Sequence, residues 1–184
     1  MKNNQNVQIL TEGAMMVALA VVLSVVSDLI GLKMPQSGSV SLSTLPIVIF
    51  ALRRGSLSGA LVGLTYGIIN LLLDGIYHWG SIFFDYVIPF TLVGFLSGLF
   101  SKKAQAGLIG YTILAVLVSG LARYLCHSFS GVIFFSDYVP EGMTAFYYSF
   151  IVYNAPYMLI NTALNLVILL LVQKRLITIN SRVV

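Results

Sequence analysis

Charge is what this sequence has least of. Lys, Arg, Asp and Glu make up 9% of its 184 residues, against about a quarter in a soluble domain. So few charges cannot coat a water-facing surface. A soluble enzyme is excluded, and lipid must cover much of the outside. There is one cysteine, Cys126, which rules out an internal disulfide framework. No CxxC or Cys/His cluster suggests a metal site, and nothing in the sequence calls for a cofactor. No GxxxxGK[ST] segment is present, so ATP is not hydrolysed by that route. No HExxH or convincing paired-carboxylate centre points to an intramembrane enzyme. Met1 to Thr11 is polar, and the first apolar run is long without a clear cleavage site. It reads as a membrane span, not a secretory signal. The net charge of +4 is split among short loops, not pooled in a nucleic-acid-binding face.

What is abundant is apolar residue, at 58%. Six runs stand out against the requirement of about 20 apolar residues per helical span. They cover Leu10 to Leu32, Val40 to Leu52, Gly55 to Leu73, Ile82 to Phe100, Gly107 to Cys126 and Ala145 to Val172. The prediction is an all-α polytopic membrane protein with six transmembrane helices. Residues 1–184 form a single integral membrane domain that binds a substrate. The second run is short and contains Pro46, so it should sit among other helices or near one surface.

Loop charges orient the bundle, because positive residues collect on the cytoplasmic side. With six spans one side receives Lys2, Arg53, Arg54, Lys102, Lys103, Lys174, Arg175 and Arg182. The other receives Lys33 and Arg123, with Asp28, Asp74, Asp85, Asp137 and Glu141. Glu12 is the acidic residue on the inner side. The split predicts cytoplasmic termini in a multi-pass cell-membrane protein. Gly55, Gly59, Gly63 and Gly67 fall four apart in the third run, and Gly94 and Gly98 repeat that spacing in the fourth. Such a stripe admits close helix packing.

Ionisable groups at membrane depth are costly and usually face a cavity or a partner. Asp85-Tyr86 opens the fourth run. Arg123 and His127 close the fifth, one turn apart on one helix face. Tyr147, Tyr148 and Asn154 begin the sixth, and Tyr77, His78 and Trp79 lie in the loop between the third and fourth. All converge on the outer rim. Each also has a plainer reading. The tyrosines and Trp79 suit an interfacial aromatic belt, and Arg123 suits a snorkelling cation. His127 suits a packed helix-end residue, and Asp85 a helix N-cap. Together, a carboxylate, an imidazole, an amide and aromatic faces suit a small aromatic ligand, particularly a cationic one.

Four segments resemble one family in order. Leu45-Pro46-Ile47 with Ala51-Leu52-Arg53-Arg54-Gly55 is similar to the second-to-third-span junction of ThiT/YuaJ proteins. These are the thiamine-binding S components of energy-coupling factor (ECF) transporters. Phe84 to Phe90 resembles their (D/E)Y motif, and Arg123 to Phe135 their basic-x3-His-x3-Gly stretch. Tyr148 to Asn154 resembles their Tyr/Asn motif. The resemblance covers nearly the whole chain. Asp85 stands where members often carry Glu, and Phe135 where a tryptophan is common. Lys33 to Ser37 has no aromatic counterpart to a first-loop tryptophan.

The resemblance implies a high-affinity thiamine-binding subunit that captures its ligand from outside and performs no catalysis. A transmembrane coupling subunit and two cytoplasmic ATPase subunits would be its partners. Asp85 would hold the aminopyrimidine. Tyr86, His127, Tyr148 and Asn154 would line the pocket, with Tyr147 an equal candidate beside Tyr148. Arg123 and Gly131 would lie near its mouth or the hydroxyethyl or phosphate end of the ligand. Phe135 joins this set, and Tyr77 and Trp79 lie in the loop over the pocket. Ala14 and Ala18, four apart in the first run, match a family feature. They read either as internal packing of small residues or as a flat face for the coupling subunit. The alternative function is an autonomous proton-coupled carrier for thiamine or a precursor, working through Asp85 or His127.

Overall fold

The computed structural model describes residues 2–30 and 38–178. Of the residues used above, Met1, Leu32, Lys33, Met34, Pro35, Gln36, Ser37 and Arg182 lie outside the described residues. The described residues form α1 (Lys2–Leu29), α2 (Thr44–Arg54), α3 (Ser56–Asp74), α4 (Ile88–Gly98), α5 (Ser101–Gln105), α6 (Ile109–Phe134), α7 (Ala145–Tyr147) and α8 (Ala155–Leu176). A π-helical segment, Ile82–Val87, leads into α4, and a second, Tyr148–Asn154, joins α7 to α8. The helices at Asn4–Leu29, Ser56–Asp74, Ile109–Phe134 and Ala145–Leu176 are long and apolar enough to cross a bilayer. Ile82–Gly98 is a shorter apolar helix. With α2 these make the six spans that the sequence predicts.

The outside is apolar, as a lipid-facing surface requires. Leu10, Met15, Leu19 and Val22 of α1 are exposed, as are Leu61 and Leu72 of α3, Leu117 and Leu121 of α6, and Leu159 and Leu171 of α8. Helix α2 is the exception, with every residue from Thr44 to Leu52 buried. Its 11 residues rise only about 16 Å. Enclosed by α1, α3, α4 and α8, it has no lipid thickness to match. Pro46 falls in its first turn, where a missing N–H costs nothing.

The glycine stripe is the seam between α3 and α4. A Cβ on Gly59 or Gly94 would strike the backbone of the other helix. Cβ atoms on Gly63 and Gly67 would meet the carbonyls of Phe90 and Tyr86. Gly55 does not belong to this stripe. It is the joint between α2 and α3, at φ 86°, a conformation that disfavours any Cβ.

The fifth span differs from its expected length. α6 continues to Phe134, eight residues past Cys126. Ser128 and Ser130 lower the hydropathy there, yet both are buried against the bundle, so the helix extends. Arg123 and His127 therefore sit well inside it and do not close it.

The cationic ends gather at one pole. Glu12 of α1 accepts from Arg53 Nε at 2.5 Å and Arg54 Nε at 2.7 Å. Arg53 also donates to the carbonyl of Leu176 at the end of α8. Gln105 Nε2 donates to the carbonyls of Leu52 and Arg53 at 2.7 and 3.0 Å. Glu12, Gln105 and Arg53 thus tie α1, α2, α5 and α8 together at the pole where the positive charge lies.

Candidate functional site

At the opposite pole the helix ends surround a cavity. It holds about 910 Å³ of space free of protein atoms, its open mouth included. Its shape follows from two prolines. Pro89 and Pro156 each stand two residues after a π-helical segment. A helical proline offers no N–H and crowds the carbonyl four residues back. The preceding turn widens, so that Ile88 N–H reaches the carbonyl of Phe83, five residues earlier. Widened turns of this kind recur at functional sites. Here they carry Asp85 and Tyr86 on one wall, and Tyr148, Ser149, Tyr153 and Asn154 on the other.

Asp85 is held on both oxygens. His127 Nδ1 lies 2.9 Å from Oδ1, and Ser130 Oγ donates to Oδ2 at 2.7 Å. On the far side of the imidazole, Arg123 Nε donates to His127 Nε2 at 3.3 Å. A ring that accepts on Nε2 carries its proton on Nδ1. His127 is therefore neutral, and it donates to Asp85. The Arg123 guanidinium lies 5.0 Å from the Phe90 ring centroid, and the residue is 8% exposed. It is neither a snorkelling cation nor part of the mouth, but a buried group in the cavity wall.

The other walls are equally built. Asn154 Nδ2 donates to Ser149 O at 2.9 Å and Ser149 Oγ at 3.1 Å, while Tyr157 OH donates to Asn154 Oδ1 at 2.7 Å. Ser149 Oγ donates to the carbonyl of Ser128 at 2.7 Å. A Cβ on Gly131 would strike that hydroxyl, so Gly131 lets α6 and the π segment approach. The stretch from Gly38 to Ser43 closes another side. It is pinned by Gly38 N–H on Tyr153 OH at 3.1 Å and by Asn161, which accepts from Ser41 N–H at 2.6 Å and donates to Ser39 O at 2.9 Å.

Nearly every residue singled out from sequence meets here. Tyr77, Asp85, Tyr86, Arg123, His127, Gly131, Phe135, Tyr148 and Asn154 all line the cavity. Tyr147 and Trp79 are not among its lining residues. Tyr147 is 51% exposed, which separates it from Tyr148. Trp79 is 70% exposed, its ring centroid 6.1 Å from that of Phe134. His78 stacks on Phe134 at 4.7 Å, and this aromatic cluster lies beside the cavity. Ala14 and Ala18 are exposed on α1, whose inward face is Gly13, Val17, Ala20 and Ser24. Internal packing is thus not their role.

Sequence reasoning missed Ser24, Tyr66, Asn70, Asp74, Phe90, Tyr153 and Tyr157, all of which line the cavity. A signal existed. Tyr66, Asn70 and Asp74 are spaced four apart in an apolar helix, as are Tyr153 and Tyr157, so each set shares one face. Among the described residues no group of His, Cys, Asp and Glu is arranged to hold a metal ion.

Comparison with known proteins gives a consistent picture. The family model described as thiamine transporter protein (Thia_YuaJ) matches residues 10–181. The thiamine transporter ThiT of Bacillus subtilis is 35% identical over 167 residues, covering 84% of this chain and 85% of its own. ThiT of Lacticaseibacillus paracasei is 30% identical over 183 residues, with 91% and 88% covered. The solved structure of ThiT from Listeria monocytogenes superimposes with a TM-score of 0.82 at 28% identity, covering 92% of this chain and 95% of that one.

Proposed function

The chain belongs to the thiamine transporter protein family, and from that premise we propose that it is the thiamine-binding S component of an ECF importer. It is a membrane protein of thiamine uptake and not an enzyme. In the proposed cycle it captures thiamine from outside with high affinity. A transmembrane coupling subunit and two cytoplasmic ATPases then drive release within.

The observation that carries this reading is the aromatic-walled cavity with Asp85 fixed by His127 and Ser130. A carboxylate oxygen has two lone pairs, and each oxygen of Asp85 spends one on these partners. Each keeps acceptor capacity for the N–H groups of an aminopyrimidine. The tyrosine walls and Phe135 offer π-faces to a thiazolium cation. The cavity opens at the pole opposite Arg53, Arg54, Lys174 and Arg175, and the positive-inside rule makes that pole external. Ala14 and Ala18 support the partner assignment, since two small residues on the exposed face of α1 let another helix approach closely.

Reconstitution tests the reading against an autonomous carrier. Liposomes holding this chain alone should bind thiamine without accumulating it. Accumulation should require the coupling subunit, both ATPases and ATP. Uptake by the chain alone, driven by a proton gradient, would establish the carrier instead.

A further inference from the structure

Hydroxyls inside the helices of this chain have a usual partner one turn back. Thr11, Ser27, Thr65, Thr91 and Ser119 each donate to the carbonyl four residues earlier, at 2.6 to 2.9 Å. Such a bond is available to any serine or threonine in a helix. Ser130 of α6 does otherwise. Its Oγ reaches across to Asp85 Oδ2 in the π segment, at 2.7 Å. Ser130 is 1% exposed and is not among the residues that line the cavity. It stands behind the wall, where a ligand in the cavity does not touch it.

The partner it holds is the carboxylate that faces the ligand space. Rotation of a carboxylate about its Cβ–Cγ bond is broad and two-fold, so one partner leaves its plane loosely defined. His127 Nδ1 on Oδ1 is one such partner. Ser130, three residues on and therefore on the same face of α6, supplies the second on the other oxygen. Two donors from one helix face fix the plane, and with it the directions of the lone pairs that remain. Hydrogen bonds weaken steeply as they bend. The aim of Asp85 therefore decides which edge of a ligand it reads.

We propose that Ser130 is a positioning residue for ligand selection: from behind the wall it aims Asp85, so that the cavity favours a ring with an exocyclic N–H donor over the same ring without one. This role rests on the thiamine reading above. It assigns part of the selectivity for the aminopyrimidine edge to a residue outside the cavity.

Calorimetry on the full chain compares thiamine with its analogue in which hydrogen replaces the exocyclic amino group. Wild-type protein should prefer thiamine. Ser130→Ala should cut that preference by about tenfold, the scale of one misdirected charge-assisted hydrogen bond. The analogue's own affinity should move by no more than about twofold. A merely structural serine would weaken both ligands alike. Ser130→Cys fills a similar volume with a weak donor. It should lose the preference likewise, and it serves if the alanine variant does not fold. In an Asp85→Asn background, Ser130→Ala should change the remaining preference by less than about twofold, because the serine acts through the carboxylate. The proposal is overturned by an unchanged preference in either folded Ser130 variant, or by a loss shared equally between the ligands. A further loss of preference in the Asp85→Asn background, or a wild type that binds thiamine without discriminating, also overturns it. Each of these leaves the thiamine reading standing. A wild type that binds neither compound overturns that reading, and this proposal with it.

Discussion

His127 Nδ1 lies 2.9 Å from Asp85 Oδ1, joining the last third of α6 to the π segment ahead of α4. The contact orients the carboxylate in the cavity, and Arg123 behind the ring fixes which nitrogen carries the proton. The expected behaviour of the site follows from this link and from the close approaches around it.

Asp85→Asn removes the charge while keeping the shape. The amide can no longer accept on both sides, so His127 Nδ1–H or Ser130 loses its acceptor. Thiamine affinity should fall by about 1–3 kcal/mol, the scale of a buried charge-assisted hydrogen bond. Calorimetry on purified, folded mutant reads this directly, and unchanged affinity would remove Asp85 from the site.

Gly131→Ala places a methyl group against the Ser149 hydroxyl. That hydroxyl donates to Ser128 O and accepts from Asn154 Nδ2, so displacing it disturbs two hydrogen bonds. About 1 kcal/mol for each gives a loss of about 2 kcal/mol in stability, with weaker thiamine binding. Adding Ser149→Ala to the Gly131→Ala protein removes the clashing oxygen and should restore part of the binding. Thermal unfolding in detergent and a titration measure both effects. A Gly131→Ala protein indistinguishable from wild type would show that the approach is not tight.

Ala14→Trp with Ala18→Trp should leave thiamine binding intact and abolish uptake by the assembled transporter. Both alanines face outward on α1, so bulky rings there touch neither the core nor the cavity, yet they block a close helix. Recovery of the coupling subunits with the double mutant at wild-type yield would contradict the docking role.

Trp79→Phe should change thiamine affinity by no more than about 0.5 kcal/mol, the range for a surface substitution. The indole is 70% exposed and lies beside Phe134, so it does not stack on a ligand held within the cavity. Quenching of wild-type indole emission by thiamine should therefore be weak. Strong saturable quenching, together with loss of affinity in Trp79→Phe, would move the loop over the cavity mouth.

Much of this was legible in the sequence because lipid imposes strong patterns. Apolar runs locate the spans, and basic residues such as Arg53 and Lys174 share one pole because the bilayer sorts them. Gly59, Gly63 and Gly94 announce a close seam. Other features were hidden for physical reasons. α6 outruns its hydropathy because Ser128 and Ser130 are buried against protein and not lipid. Pro89 and Pro156 lie inside the fourth and sixth apolar runs, and hydropathy gives no sign that the helix widens one turn ahead of each. Asp74 counted only as an outer-side charge, and Asn70 drew no attention, because their contacts to Ser24 and Tyr86 come from other parts of the chain. Trp79 and Tyr147 are aromatic and close in sequence to cavity residues, but their helix and loop geometry turns them out.

The most direct measurement is a calorimetric titration of thiamine into the purified chain alone, without coupling subunit or ATPases. A cavity built as described should give saturable binding of one thiamine per chain at high affinity. Absence of saturable heat from folded protein, at thiamine concentrations up to about 1 mM, where binding free energy is about −4 kcal/mol, would contradict the account.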